Sequence, residues 1–184
     1  MLRHTPAGTQ LLVPDRRVLV PHEALIGGRF LGKIIRAGRT IDEFEIKNIV
    51  VNQGLNYLLG AALGAQSVVT NWFIALFSNN YTILASDTAA TIAANAGEVT
   101  QYTAGTRQSW QSAPPSAQSI TNAANQASFT FNATITVYGA FLISSSAING
   151  TSGTLFSGAQ FGSPKSVVSS DILQLTYTFT AASA

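Results

Sequence analysis

Cysteine is absent from this chain of 184 residues. Its absence excludes disulfides, thiolate zinc sites, iron–sulfur clusters and a cysteine nucleophile. No apolar run approaches the roughly 18 residues that a membrane-spanning helix needs. The hydrophobic fraction of 46% is too high for an intrinsically disordered chain. The sequence therefore predicts a folded domain without a spanning helix and without thiol chemistry.

Charged side chains are scarce and unevenly placed. They make up 10% of the chain, whereas about 25% is typical of soluble domains. Residues 1–48 contain eight of the ten basic residues and five of the eight acidic ones. Residues 49–184 therefore carry only two basic and three acidic residues, so their polar surface must consist of serine, threonine, asparagine and glutamine. Such a surface favours a subunit of an assembly over a free monomer.

Residues 1–27 are predicted to form an extended N-terminal arm. Pro6, Pro14 and Pro21 interrupt every candidate helix there. Two apolar clusters, residues 11–13 and 18–20, would lower solubility unless another surface covers them, so we expect the arm to dock on a neighbouring subunit. A partly ordered tail is the alternative. The residues expected to contact a partner are Leu11, Leu12, Arg16, Arg17, Val18 and Leu19.

Residues 28–184 are predicted to form a single β-rich domain. Residues 30–37 and 40–51 predict a hairpin with one solvated face, joined at Gly38 and Arg39. Leucines at helical spacing after Asn52 predict one short helix that ends at Gly64. The alanine- and threonine-rich residues 85–97 are expected to form a loop.

From residue 71 onward the apolar pattern has mostly a period of two. The strand predicted at residues 172–180 alternates most regularly, as a half-buried antiparallel strand does. Short strands separated by polar turns predict a mainly β fold, an antiparallel β-sandwich or jelly-roll-like body. The residues expected to form much of its core are Phe129, Phe131, Phe141, Leu173, Leu175, Tyr177 and Phe179.

The residues that could support catalysis do not form a recognised motif. Gly27, Gly32 and Lys33 match part of the phosphate-binding G-x-x-x-x-G-K pattern, but Ile34 replaces the required hydroxyl and the segment is predicted as a strand. Both histidines lie in the arm, without metal-ligand spacing. We therefore expect no catalytic, cofactor-binding or metal-binding residue, and a protein that is not an enzyme.

The basic and the aromatic residues bear on two possible binding functions, nucleic-acid binding and sugar binding. The basic residues of the first 39 positions are interleaved with acids or followed by them, which argues against a nucleic-acid partner. Trp72, Tyr81, Tyr102 and Trp110 would form a stacking platform for sugars if they were exposed together, although Trp72 lies in an apolar strand run typical of a core.

Seven segments, taken in order, resemble a family of small virion structural proteins of tailed bacteriophages. The similarity spans about residues 30–184 and leaves the whole arm outside. The segments are GKIIRAGRTIDEFEIKNIVVNQGLNYLL from Gly32, NWFIALF from Asn71, TRQSW from Thr106, SITN from Ser119, GAFLISSS from Gly139, GTSGTLFS from Gly150 and DILQLTYTFTA from Asp171.

The resemblance implies a capsid decoration (cement) protein that binds the outside of a phage head and reinforces contacts between major capsid subunits. Its expected partners are the major capsid protein and further copies of itself, with trimers favoured at three-fold sites. No membrane partner is expected. The expected location is the virion surface, with host cytoplasm during assembly. The alternatives are a tail, neck or baseplate structural protein and a carbohydrate-binding or host-binding module.

Overall fold

Ten strands and two helices follow one another along residues 24–183, the part of the chain that the computed structural model describes. Seven of the nine connections between consecutive strands consist of uncharged residues. The elements in chain order are β1 (Ala24–Arg36), β2 (Arg39–Lys47), β3 (Ile49–Val50), α1 (Asn52–Leu63), β4 (Phe73–Phe77), α2 (Ile92–Ala96), β5 (Gln108–Ser109), β6 (Ser119–Thr121), β7 (Ala127–Thr130), β8 (Ile135–Ile143), β9 (Leu155–Val167) and β10 (Ile172–Ser183).

The strands form two antiparallel sheets that pack face to face, which confirms the predicted mainly β sandwich. The first sheet has the order β2-β1-β10-β6, and β7 pairs with the other end of β10. The second sheet has the order β3-β9-β8-β4-β5. The long central strands β1 and β10 pair over their whole shared length, from Ala24 opposite Ser183 to Ile35 opposite Ile172.

The predicted hairpin is present, with different ends. β1 begins at Ala24, four residues before the predicted start of the domain, because residues 24–27 pair with the end of β10. β2 ends at Lys47, and the chain then crosses to the second sheet, where Ile49 pairs with Gly158 of β9. In β2, Phe44 and Ile46 are half-buried while their neighbours Glu43 and Glu45 are exposed, as the alternation predicted.

A first core fills the space between the two sheets. Five of the seven residues predicted for the core lie in it, and Phe179 packs against it half-buried. Tyr177 joins the layers, because its hydroxyl accepts a hydrogen bond from Ser157 Oγ of β9 at 2.9 Å. Burial raises the pKa of this phenol far above its ordinary value. The five residues are Phe129, Phe131, Leu173, Leu175 and Tyr177.

The prediction for Phe141 was wrong, because this side chain lies in a second core on the opposite face of the second sheet. The β8–β9 register shifts between Val137 and Gly139. The pairing changes by three residues there, from Val137 opposite Lys165 to Gly139 opposite Gln160, and a shift by an odd number moves the following side chains to the other face. Val137 therefore faces the first core, whereas Phe141 and Ile143 face the second. A loop with the helix α2 covers this second face through Ile92 and neighbouring residues.

Two helices are present where one was predicted. The predicted helix is α1, and it packs on β9 so closely that a Cβ added at Gly54 would lie 2.8 Å from Phe156 Cα. The second, α2, has five residues and lies inside the segment predicted as a loop. Its Ile92, Ala93 and Ala96 are buried. A helix of five residues is not stable alone in water, so this burial stabilises it.

Candidate assembly surface

The five charged residues that follow position 48 are all buried, and none is more than 8% exposed. From residue 49 to residue 183 the surface therefore carries no exposed charged side chain. Each of the five has a partner of opposite charge or a hydrogen-bond partner that accounts for its burial. They are Asp87, Glu98, Arg107, Lys165 and Asp171.

Glu98 and Arg107 form a fully buried ion pair. Arg107 Nε and Nη2 donate to the two carboxylate oxygens of Glu98, each at 2.7 Å, and both side chains are 0% exposed. Such a two-point contact is the strongest geometry available to this pair of groups. The guanidinium also lies over the ring of Phe141, 5.6 Å from its centroid. The pair therefore anchors the chain after α2 to the second sheet.

The same pair fixes the turn that follows β8. Arg107 Nη1 donates to the carbonyl oxygen of Ser145 at 3.0 Å, and Nη2 donates to that of Gly150 at 3.2 Å. The backbone N–H of Asn149 donates to Glu98 Oε2 at 2.8 Å. Burial, together with the negative charge of Glu98, raises the pKa of nearby Tyr102 to about 12. These contacts hold two loops in one arrangement.

Lys165 and Asp87 are buried for different local reasons. Lys165 Nζ of β9 lies 2.9 Å from Asp42 Oδ2 of β2 and 4.6 Å from the centroid of the Phe44 ring, so it bridges the two sheets. Asp87 accepts hydrogen bonds from the Tyr81 hydroxyl and from the backbone N–H of Leu84, both at 2.8 Å. Asp87 thereby closes the loop over the second core.

Asp171 and Arg36 join the start of β10 to the end of β1. Arg36 Nε and Nη2 donate to the two oxygens of Asp171 at 2.8 and 2.6 Å. The hydrogen bond from Arg36 lowers the pKa of Asp171 below its ordinary 3.8, burial opposes the shift, and the Val168 N–H adds to it. The Asp171 side chain is 1% exposed, whereas that of Arg36 is 45% exposed.

Acid is expected to destabilise the fold partly through Asp171. The pKa of Asp171 is lower in the folded chain than in the unfolded chain. The ionised carboxylate therefore stabilises the fold fully at pH values above the unfolded pKa, and this contribution is lost as the pH falls through the folded pKa. Urea unfolding between about pH 5 and pH 2 should therefore show a smaller loss of stability in Asp171→Asn than in the parent chain. An equal loss in both proteins would contradict the assignment.

Exposed charges are confined to the first hairpin in the described part of the chain. Arg29, Glu43, Glu45 and Lys47 lie on its outer face, and Arg29 Nη1 lies 3.1 Å from Glu45 Oε1. Both members of this pair are about half exposed, so their attraction is screened by water and contributes little to stability. The molecule thus has one charged face and an otherwise neutral surface.

The neutral surface also carries exposed apolar side chains. Helix α1 presents Leu59 and Leu63, which are 59% and 86% exposed, and Val68 follows them at 67%. Leu84 and Val168 are further exposed apolar residues outside the hairpin. We call the exposed surface of residues 49–183 the uncharged surface; it is the candidate site for contacts with other subunits.

The structure describes some of the residues named in the sequence analysis and not others. The predicted contacts Leu11, Leu12, Arg16, Arg17, Val18 and Leu19 lie outside the described residues, as does the arm up to residue 23. The partial phosphate-binding pattern lies within strand β1, as predicted. The five buried charges were assigned no role from the sequence. Their one signal is that each stands alone in an uncharged stretch.

The four aromatic residues considered for sugar stacking are not exposed together. Tyr102 is buried at 3% exposure, and the other three are half-buried. The rings of Tyr57 and Phe156 pack edge-on against Trp72, and the indole N–H of Trp110 donates to the carbonyl oxygen of Tyr177 at 3.2 Å. These side chains are part of the sandwich rather than a platform on it.

No group of three or more histidine, aspartate or glutamate side chains is placed to hold a metal ion within residues 24–183. In the same range, neither helix has the length and apolar character to cross a membrane. Comparison of the chain with protein-family models gives no match, and comparison with curated proteins gives none either.

Proposed function

We propose that this chain is a virion structural protein, a capsid decoration (cement) protein that binds the outside of a phage head and reinforces contacts between major capsid subunits. It acts by binding and has no catalytic step. The partners are the major capsid protein and further copies of the chain. The resemblance of residues 30–184 to small phage virion proteins supports a phage particle as the assembly to which the chain belongs.

The observation that supports this proposal is the uncharged surface. Burying an exposed charge against a partner costs free energy unless a counter-charge meets it, and the centres of protein interfaces are depleted in charged residues. A chain that buries Asp87, Glu98, Arg107, Lys165 and Asp171 inside itself has already removed this cost from most of its surface. Any part of residues 49–183 can then face another neutral surface without leaving a charge unpaired.

Weak individual contacts suit this role because a capsid is a repetitive lattice. Serine, threonine, asparagine and glutamine side chains give hydrogen bonds of modest net strength. When several subunits are linked, binding of the second and later ones becomes intramolecular, and the effective concentration raises the overall affinity. A modest affinity at each site is therefore sufficient to hold the protein on a particle.

The experiment is to image phage particles by cryo-electron microscopy, with and without the gene for this chain. Density tiled over the head that disappears in the deletion and returns when purified protein is added would support the proposal. Copies confined to the tail, neck or baseplate would replace it with the tail alternative. Particles that never carry the chain, together with glycan binding by the purified protein, would instead support the host-binding alternative.

A matched set of variants tests the uncharged surface itself. Asn56→Glu, Ser116→Glu and Ser152→Glu each place one negative charge on it at an exposed position, and Thr40→Glu places the same charge on the hairpin, also at an exposed position. An acidic residue buried in a contact without a counter-charge should weaken particle binding by at least about tenfold in one or more of the first three. Unchanged binding in all three would contradict the role of this surface.

A further inference from the structure

Helix α1 has two opposite sides, and one of them is uncovered in the described part of the chain. Successive residues of a helix are rotated by about 100° around its axis. Gly54, Tyr57 and Ala61 lie on the side that packs against the first core. The opposite side is exposed, and its residues, which we call the α1 stripe, are Asn52, Asn56, Leu59 and Leu63.

The residues of the α1 stripe are spaced as in a coiled coil. Their intervals of four, three and four residues match the a and d positions of a heptad repeat. This spacing keeps the stripe within about 60° of the helix circumference. Leu59 and Leu63 are 59% and 86% exposed. Leucines that face water at heptad spacing are typical of a helix that packs on another helix.

No charged residue accompanies the α1 stripe. The sequence has none between Lys47 and Asp87, and Asp87 is itself buried. In coiled coils the positions that flank the stripe often carry charges that select the partner. The flanking residues here are Gln53, Leu55, Gly60 and Ala62. A charged partner would find no counter-charge at this contact, so the stripe requires an uncharged helix.

The side chains of the stripe are complementary to a parallel copy of the same helix. In a parallel pair, identical residues meet, so leucine packs on leucine. The asparagine amide both donates and accepts hydrogen bonds, so Asn56 can pair with Asn56 of the second copy. In an antiparallel pair, the asparagine half of each helix would face the leucine half of the other, and the buried amides would lose their partners.

We propose that α1 packs parallel to α1 of a second copy through the α1 stripe. The inference deepens the proposed assembly function, on which it rests, by naming the contact between copies. The helix has 12 residues and is about 18 Å long, whereas a stable complex usually buries about 800 Å² on each partner. Single copies therefore predominate in dilute solution, and the contact forms at the high local concentration of a lattice.

The absence of cysteine makes single-cysteine variants of the full chain a direct test. Asn52→Cys and Asn56→Cys place a thiol on the α1 stripe and keep both leucines, whereas Ala62→Cys places one at an exposed position beside it. Facing positions of two packed helices come within the roughly 7 Å between Cα atoms that a disulfide tolerates.

Mild oxidation of concentrated protein should give disulfide-linked homodimers of at least one stripe variant. The expected yield, measured by non-reducing electrophoresis, is about tenfold above that of Ala62→Cys. Because a disulfide accumulates as oxidation proceeds, a weak contact is sufficient for this readout.

The leucines have their own test, with a matched control. Adding Leu59→Ala to the Asn56→Cys chain should lower the homodimer yield by about tenfold, because the apolar contact between copies is reduced. Leu84→Ala in the same chain should leave the yield unchanged. Leu59 and Leu84 are 59% and 51% exposed, so neither truncation should unfold the domain, and circular dichroism checks this.

Two results would overturn the inference. One is a homodimer yield for both stripe variants that is no higher than that of Ala62→Cys. The other is a mixture of Asn52→Cys and Leu63→Cys chains that gives more heterodimer than homodimer, because the two helices would then be antiparallel. Purified protein suffices for these measurements. Their failure is therefore distinguishable from failure of the head-binding proposal, which the particle images decide.

Discussion

Replacing Arg107 by alanine is expected to lower the free energy of unfolding by about 3–5 kcal/mol. The guanidinium is the only ion-pair partner of Glu98 within residues 24–183, and both side chains are fully buried. Its removal leaves a carboxylate charged in the interior, or forces it to take up a proton, and also leaves the carbonyl oxygens of Ser145 and Gly150 without their donor. Urea unfolding followed by circular dichroism measures the loss.

Arg39→Ala is the matched control for this variant. Arg39 is an exposed arginine at the start of β2, and its removal should change stability by no more than about 0.5 kcal/mol. The double variant Glu98→Gln/Arg107→Met should be more stable than Arg107→Ala, since it leaves no unpaired charge. A loss below about 1 kcal/mol for Arg107→Ala would show that the pair does not hold the loops together.

Truncation of Phe131 or Leu175 to alanine is expected to cost about 2–5 kcal/mol each. The two side chains are 1% and 0% exposed, and both lie in the first core between the sheets. Each substitution removes apolar contacts and leaves a cavity that close-packed neighbours fill only partly. Thermal and urea unfolding of the two variants provide the measurement.

Leu63→Ala controls for the loss of an apolar side chain as such. Leu63 is 86% exposed on α1, so its truncation should change stability by no more than about 0.5 kcal/mol. Losses below about 0.5 kcal/mol at both Phe131 and Leu175 would reject their assignment to the core.

The elements predicted correctly from the sequence alone are those whose hydrophobic spacing or turn residues fit only one type of secondary structure. β10 alternates regularly because one of its faces meets the first core. The leucines at helical spacing predicted α1 correctly, but the side of α1 that is buried carries Gly54 and Tyr57, whereas Leu59 and Leu63 are exposed. The hairpin was predictable because Gly38 adopts a positive φ of 76° at its turn, which glycine adopts without strain. In β2 and β10 the burial that the fold imposes on one face agrees with the period of the residues.

The second sheet was predicted less well because both of its faces are buried. Four consecutive residues of β4, Ile74 to Phe77, are buried, so no alternation indicates which side chain faces which core. In β8 the register shift after Val137 reverses the faces, and Phe141 consequently lies in the second core. A register shift depends on pairing with β9, which is distant in sequence.

Composition predicted that residues 49–184 would have a weakly charged surface, and the tertiary structure made the described part of that surface free of exposed charge. The sequence contains Glu98 and Arg107 nine positions apart, with nothing to show that they form a pair. Lys165 meets Asp42, and Asp171 meets Arg36, across more than a hundred residues. Ion pairs between distant positions depend on how the strands pair, as for Asp171 and Arg36, and on how the sheets stack, as for Lys165 and Asp42. The number of charges is therefore a property of the sequence, whereas their removal from the surface is a consequence of the fold.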